Sequence, residues 1–244
     1  MTDNITPRRL KIKGDTMITI KRKIQLPQSY STTITIFHTF AKNSKYTDIV
    51  FLRELSVIQW IFGDTSFLPE IEKQNRTRDD KKYKELEDIW GQEILAKKRP
   101  DLQKSGNWTT VLGEEIGREL FLLQDKSYAK PVNINGFQPD GETEDSIIEV
   151  KSQTYFTSGT AGEKIMGVPH KYVDVPELYK KPLKILCIAC AEKLGREKYG
   201  VLHGPALSSS LGKQKNIAFY KSNGIEYTGA TDIIREIIWN IVID

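Results

Sequence analysis

The chain has 244 residues, with 36 Lys and Arg against 32 Asp and Glu, for a formal net charge of +4. This length suits one sizeable domain or two small ones with a packed core. The charge is only mildly basic, so composition alone does not establish nucleic-acid binding. No apolar run approaches the length of a membrane span and no leader with a cleavage site is visible. We therefore expect an intracellular protein without membrane contact.

The first hundred residues combine a basic arm with three further segments. Residues 1–30 carry seven Lys and Arg against two Asp, and this arm either contributes salt-dependent DNA affinity or is an ordinary basic strand. Residues 31–40 are rich in Thr, Ile and Phe, which predicts a strand. Residues 48–62 predict an apolar helix, and we expect the charged run at 76–98 to be helical in its second half.

The rest of the chain alternates between helical and strand patterns. Leu112, Ile116, Leu120 and Leu123 repeat at helical spacing, which predicts a helix over residues 108–123. Strands are predicted at 129–134, 146–154, 183–190 and 199–203, and helices at 161–167 and 231–243. This order predicts an α/β fold with a central mixed β-sheet flanked by helices. The last helix has an apolar face that is either core or a dimer contact.

The most informative residues lie around the strand predicted at 146–154. Period-2 alternation places Glu149 and Lys151 on one face of that strand, and Asp140 arrives from the preceding extended segment, between Pro139 and Gly141. Two converging carboxylates are suited to Mg²⁺, and the lysine lies where a nucleophilic water would be held. The pattern indicates phosphodiester hydrolysis. The alternative is an exposed hairpin whose Glu and Lys merely pair across solvent.

The segment after this strand is rich in Ser, Thr, Gly and Lys. Hydroxyls, free backbone N–H groups and lysines are the groups that grip phosphates. We expect DNA contacts from Thr157, Ser158 and Thr160 as hydrogen-bond donors, and from Lys164 and Lys171 to the backbone. A flexible loop leading into a helix is the alternative. No nucleotide-binding loop motif occurs in the chain.

The two cysteines, Cys187 and Cys190, have the spacing of a metal-binding or redox pair. No second cysteine pair exists, and residues three apart in a strand face opposite sides. We therefore predict that both are reduced, buried small hydrophobes, which fits an intracellular location.

Pro139-Asp140 followed by Glu149-Val150-Lys151 resembles the PD-(D/E)xK nuclease superfamily, and in particular its type II restriction endonucleases. The resemblance covers roughly residues 108–205, with the signature confined to 139–151. It implies that Asp140 and Glu149 bind Mg²⁺ and that Lys151 assists the attacking water. Many members add an acid from the first helix, for which we expect Glu115, with Glu119 as the second choice.

The resemblance implies a restriction-endonuclease-like core at 108–244, with residues 1–107 as a recognition or dimerisation region. We expect a Mg²⁺-dependent, sequence-specific endonuclease that cuts double-stranded DNA to 5′-phosphate and 3′-hydroxyl ends. Cutting both strands of a palindromic site favours a homodimer. Two alternatives stay open: a nuclease of the same superfamily without sequence specificity, acting in repair, recombination or phage DNA processing, and a non-catalytic DNA-binding module.

Overall fold

The computed structural model describes residues 30–72, 74–105, 107–156, 161–204, 206 and 210–243. The basic arm at residues 1–29 therefore lies outside the described residues. The helices are α1 (Tyr30–Asn43), α2 (Leu55–Phe62), α3 (Arg76–Lys98), α4 (Trp108–Leu123), α5 (Ala161–Met166), α6 (Val168–Lys171), α7 (Val175–Tyr179), α8 (Cys190–Leu194), α9 (Leu211–Ser222) and α10 (Ala230–Ile243). The strands are β1 (Gly141–Glu142), β2 (Ile147–Gln153), β3 (Leu183–Ala189) and β4 (Ile225–Gly229). A 3-10 turn at Pro100–Ser105 precedes α4, and a π turn at Gly195–Tyr199 follows α8.

The four strands form one sheet in the order β1-β2-β3-β4. β1 pairs with β2 in antiparallel fashion, whereas β2, β3 and β4 run parallel to one another. Helices lie between the parallel strands in sequence, as a parallel connection requires. The prediction of an α/β fold with a mixed sheet flanked by helices is confirmed in these terms.

Alternation along β2 assigns its residues to the two faces of the sheet. Ile148 and Val150 belong to a hydrophobic core shared with the N-terminal helices, α4 and α10. Ile147 belongs to a second core on the opposite face, with Ile165 of α5 and Val175 of α7. Both faces are therefore covered, which explains why the parallel strands read as apolar runs.

Two glycines allow α4 to approach the sheet closely. A Cβ on Gly113 would lie 2.4 Å from Oγ of Ser152, and one on Gly117 would lie 3.1 Å from Leu186 and 3.2 Å from Val150. No larger side chain fits at Gly113 without displacing β2. The helix is thus held directly against the strand that carries Glu149.

The N-terminal region differs from its predicted pattern. The strand predicted at residues 31–40 is wrong. These residues belong to α1, where Ile34, Phe37 and Ala41 are buried at helical spacing. The helix predicted at 48–62 is shorter and begins at Leu55. The charged run at Arg76–Lys98 is helical throughout rather than in its second half.

Two predicted strands are also wrong. Residues 129–134 contribute only isolated bridges, from Ala129 to Glu142 and from Ile134 to Phe137. Residues 199–203 begin at the last residue of the π turn, and Gly200 at a φ of +67° turns the chain there. The last strand of the sheet is instead β4, which the sequence pattern did not predict, and neither did it predict α9.

One hydrophobic core includes residues from both sides of position 107. Phe37 and Trp60 from the N-terminal region pack in the same cluster as Leu112 of α4 and Ile234 of α10. The apolar face of α10 is largely core, because Ile233, Ile234, Ile237 and Ile238 are all buried, while Ile241 is exposed. In the part of the chain that the structure describes, no helix is both long and apolar enough to cross a membrane.

Candidate active site

The register of the β1–β2 pair brings Asp140 and Glu149 together. Gly141 pairs with Ile148, so in an antiparallel pair the next position outward from Gly141 faces Glu149. The N–H of Asp140 donates to the carbonyl of Ile148 at 3.0 Å. Its Oδ2 accepts from the N–H of Val150 at 2.7 Å. Asp140 is thus fixed to the strand that carries Glu149.

Lys151 lies against Glu149, as the alternation of β2 predicts. Its Nζ is 2.6 Å from Oε1 of Glu149 and 2.9 Å from the carbonyl oxygen of Val150. The Glu149 side chain is buried, with Oε1 in this ion pair. Its other oxygen, Oε2, is buried without a hydrogen-bond partner among the described residues. An unpartnered buried carboxylate oxygen is costly, and a bound cation or hydrogen-bond donor would relieve that cost.

Burial and mutual repulsion shape the acidity of the two carboxylates. Burial raises the pKa of Glu149, an effect that Lys151 opposes and the charge of Asp140 reinforces. Burial likewise raises the pKa of Asp140, against the hydrogen bond from Val150 and the charge of Lys151. A bound cation would stabilise the two ionised carboxylates, because its positive charge offsets the repulsion between them.

One acid of α4, Glu114, is affected by the charges of this pair. Its pKa is raised to about 7 by burial and then by the charges of Asp140 and Glu149. The apolar repeat at Leu112, Ile116, Leu120 and Leu123 did not single out Glu114. Gly113 and Gly117 mark the helix face that contacts β2, and Glu114 is next to the first of them.

The expectation that Glu115 joins the site is corrected by its contacts. Its Oε2 accepts from Arg99 at 2.8 Å and from Arg118 at 3.1 Å. Two guanidinium groups therefore already neutralise this carboxylate on another side of α4. Glu115 lies in an ion-pair network rather than beside Asp140 and Glu149.

Glu119, the second choice, has a structural position. It is fully buried, and its carboxylate accepts the backbone N–H groups of Val50, Phe51 and Leu52 at distances of 2.8–3.1 Å. Both carboxylate oxygens are engaged by the segment before α2. Glu119 joins the N-terminal region to α4 and is not available to the site.

Tyr172 and Lys171 complete the surroundings of the carboxylates. Lys171 Nζ lies 3.2 Å from the Tyr172 hydroxyl, and its charge lowers the pKa of both Asp140 and Glu149. Burial, followed by the charge of Glu149, raises the pKa of Tyr172. The sequence analysis placed Lys171 in a phosphate-binding segment and missed Tyr172, because no motif marks the tyrosine that follows α6.

A groove of about 800 Å³ opens over this cluster. Its lining includes Asp140, Glu149, Lys151 and Tyr172, together with Lys164 and Lys171. The structure therefore brings the predicted triad and both predicted phosphate-contacting lysines to one groove. The predicted hydrogen-bond donors Thr157, Ser158 and Thr160 lie outside the described residues.

The donor set fits a hard divalent cation whose remaining ligands are waters or substrate oxygens. Within the described ranges, no group of three or more His, Cys, Asp and Glu side chains is placed to hold a metal ion. Mg²⁺ is commonly bound by one or two carboxylates, with waters and substrate phosphate oxygens completing its coordination. Asp140 and Glu149, with the unpartnered Oε2, match that minimal set.

The two cysteines take no part in the site. Cys187 and Cys190 are both buried free thiols, and Cys190 begins α8 after β3 has ended. Burial raises the pKa of the Cys190 thiol to about 11, so the thiol stays protonated at neutral pH. The prediction that both cysteines are buried is confirmed.

Comparison of the chain with models of known protein families, with curated protein sequences and with solved structures finds no match.

Proposed function

We propose that this chain is a Mg²⁺-dependent DNA endonuclease of the type II restriction kind. One observation carries the proposal: Asp140, Glu149 and Lys151 lie together in a groove, and a buried Glu149 oxygen has no partner among the described residues. Glu149 keeps only 4% of its full exposure. In an exposed hairpin with a solvent ion pair, its side chain would instead be accessible to water. The resemblance of these residues to the PD-(D/E)xK signature supports the same chemistry.

Asp140 and Glu149 would hold Mg²⁺, which when bound polarises the scissile phosphate and acidifies a water. The β1–β2 pairing holds these carboxylates in place before any ligand arrives, which lowers the cost of ordering the site. The N–H of Val150 keeps Asp140 oriented through its 2.7 Å hydrogen bond. The candidate site is therefore built mainly on the sheet rather than on loops.

Lys151 would orient the attacking water and offset negative charge on the phosphate in the transition state. Its Nζ already contacts Oε1 of Glu149 at 2.6 Å, so it lies beside the reacting centre. Attack in line with the leaving 3′ oxygen gives 5′-phosphate and 3′-hydroxyl ends. Tyr172 and Lys171 line the groove at the end of α6.

The groove supports DNA as the substrate. Lys164 and Lys171 line it beyond the triad, where they can neutralise phosphates on either side of the cut. Cleavage of both strands at a palindromic site further implies two copies of the chain related by a two-fold axis. The homodimer is part of this proposal.

Digestion of a plasmid of known sequence with Mg²⁺, followed by mapping of the ends, tests the function. Discrete fragments with 5′-phosphate ends support a sequence-specific endonuclease. A smear, or resection from ends, would instead indicate a nuclease of repair, recombination or phage DNA processing. If the wild-type chain binds DNA with the same affinity as Asp140→Ala and does not cut it, the chain is a non-catalytic DNA-binding module.

A further inference from the structure

Gln153 is the last residue of β2, on the same strand face as Glu149 and Lys151. It pairs in the sheet with Ala189 of β3, and it lines the groove that holds the three triad residues. Gln153 keeps 9% of its full exposure. Its amide oxygen is buried and has no hydrogen-bond partner among the described residues. Gln153 and Glu149 thus place two unpartnered buried oxygens on one face of one strand.

The backbone around Gln153 is held firmly, so the missing partner does not reflect a loose strand end. Ser152 Oγ donates to the carbonyl of Thr109 at 2.6 Å. The N–H of Tyr155 donates to both carboxylate oxygens of Glu87 at 3.0 Å. These contacts hold the backbone on both sides of Gln153, whose side chain lines the groove.

An unpaired buried amide oxygen opposes folding, because this atom has lost its hydrogen bonds to water. An apolar side chain of similar size would fill the same space without that cost. The amide offers a donor and an acceptor side by side, and a half-turn of its last torsion exchanges them. A ligand that presents an acceptor next to a donor would satisfy it in either orientation.

We propose that Gln153 is a specificity-determining residue that hydrogen-bonds a base edge close to the cut. This rests on the proposed nuclease function. Residues rise by ~3.3 Å along a strand, so Gln153 lies roughly 7 Å from Lys151 and 13 Å from Glu149. Base pairs rise by ~3.4 Å, which places its contact within about four base pairs of the scissile phosphate. Adenine, which presents an acceptor beside a donor in the major groove, fits the amide best.

The test uses Gln153→Met in the full chain, because methionine matches glutamine in length and lacks the amide. A pool of randomised double-stranded oligonucleotides is cut with Mg²⁺ by wild type and variant, and the ends are sequenced. We expect one base preference within four base pairs of the cut to fall at least about fivefold in the variant. Preferences elsewhere should be unchanged, and the melting temperature should equal or exceed that of wild type.

Gln124→Met is the matched control, because Gln124 lies at the end of α4 outside the groove and contacts Glu236. It should keep every base preference of the wild type. The inference is overturned if Gln153→Met retains all preferences, if it weakens cutting equally at every sequence, or if its melting temperature drops sharply, since the amide would then be structural. Wild-type chain that leaves the pool uncut would overturn the proposed function and this inference together.

Discussion

The N–H of Val150 donates a 2.7 Å hydrogen bond to Oδ2 of Asp140. Val150 stands between Glu149 and Lys151 on β2, so its side chain packs in the core while its backbone orients the site. The same residue therefore joins core packing to the geometry of the two carboxylates. A change that shifts Val150 should therefore affect the site as well as the core.

We expect Asp140→Ala and Glu149→Ala each to reduce cleavage by roughly 10²–10³-fold or more, as for the loss of a group that stabilises developing charge. Each variant should keep the fold, because removing one carboxylate also relieves its repulsion with the other. Single-turnover cleavage and thermal unfolding measure the two effects. Glu93→Gln, at an exposed position of α3, is the control. Near wild-type cutting by either alanine variant would show that the metal assignment is wrong.

Cleavage should require Mg²⁺ or Mn²⁺, whereas Ca²⁺ should support DNA binding without turnover, since its looser coordination does not suit catalysis. Binding of the metal to the folded chain should also raise its stability, by about 2.7 kcal/mol at a concentration 100 times the Kd. Titration of each metal while following the melting temperature checks this. Cleavage that continues undiminished in excess EDTA contradicts the prediction.

Glu114 should make stability depend on pH between about 4.5 and 7. Its pKa in the folded chain is raised from 4.5 to about 7, so the unfolded chain loses this proton first as pH rises. Folding stability therefore falls across that interval and is constant above it. Glu114→Gln removes the effect, and above pH 7 it should stabilise the metal-free chain by roughly 1–3 kcal/mol, a range that allows for solvent screening.

Glu115→Gln, one position along α4, is the matched control for that experiment. Glu115 accepts from Arg99 and Arg118, so its loss should lower stability rather than raise it. Urea unfolding of both variants at pH 5 and pH 8 compares the two. Equal behaviour at the two positions would contradict a Glu114 pKa raised by burial and by the charges of Asp140 and Glu149.

Periodicity predicted the elements nearest to the site. Trp108–Leu123 is helical over the whole predicted range, and Ile147–Gln153 differs from the predicted strand by one residue at each end. Both elements have a strong hydrophobic periodicity, and tertiary packing favours the same secondary structure. The expected pairing of Glu149 with Lys151 followed directly from alternation on that strand.

The failures have identifiable causes. In α1 the β-propensity of Thr and Ile suggested a strand, but burial of Ile34, Phe37 and Ala41 followed the helical period, and packing outweighed propensity. In α4 the apolar repeat at Leu112, Ile116, Leu120 and Leu123 identified the helix face in the core. It did not identify the acid that faces β2. That choice depends on the glycine contacts with Ser152 and Val150, which only the packed structure supplies.

Glu119→Ala should be among the most destabilising single changes in the chain. It removes the acceptor for the N–H groups of Val50, Phe51 and Leu52, two of which belong to fully buried residues. Each buried donor left unpaired costs about 1–3 kcal/mol, so a loss of roughly 3 kcal/mol or more is expected. Chemical denaturation measures it. A loss below about 1 kcal/mol would mean that water replaces the carboxylate at little cost.

The last prediction separates the roles of Lys151 and Lys164. Lys151 contacts Glu149 at 2.6 Å and should act in the transition state, so Lys151→Ala should lower the single-turnover rate by roughly 10²–10³-fold with little change in DNA affinity. Lys164 lines the groove and should neutralise a phosphate. Lys164→Ala should weaken binding at every sequence and reduce the salt slope by about one.

Lys42, in the last turn of α1, does not line the groove, and Lys42→Ala serves as the control for loss of one positive charge. Affinity is measured against salt concentration in Ca²⁺, and cleavage is measured separately in Mg²⁺, so that binding and chemistry are resolved for each variant. A Lys151 variant that loses only affinity, or a Lys164 variant that loses only rate, would contradict this division. Since Lys151 is fixed on β2 and Lys164 belongs to the short helix α5, the expected difference reflects where the fold places each charge.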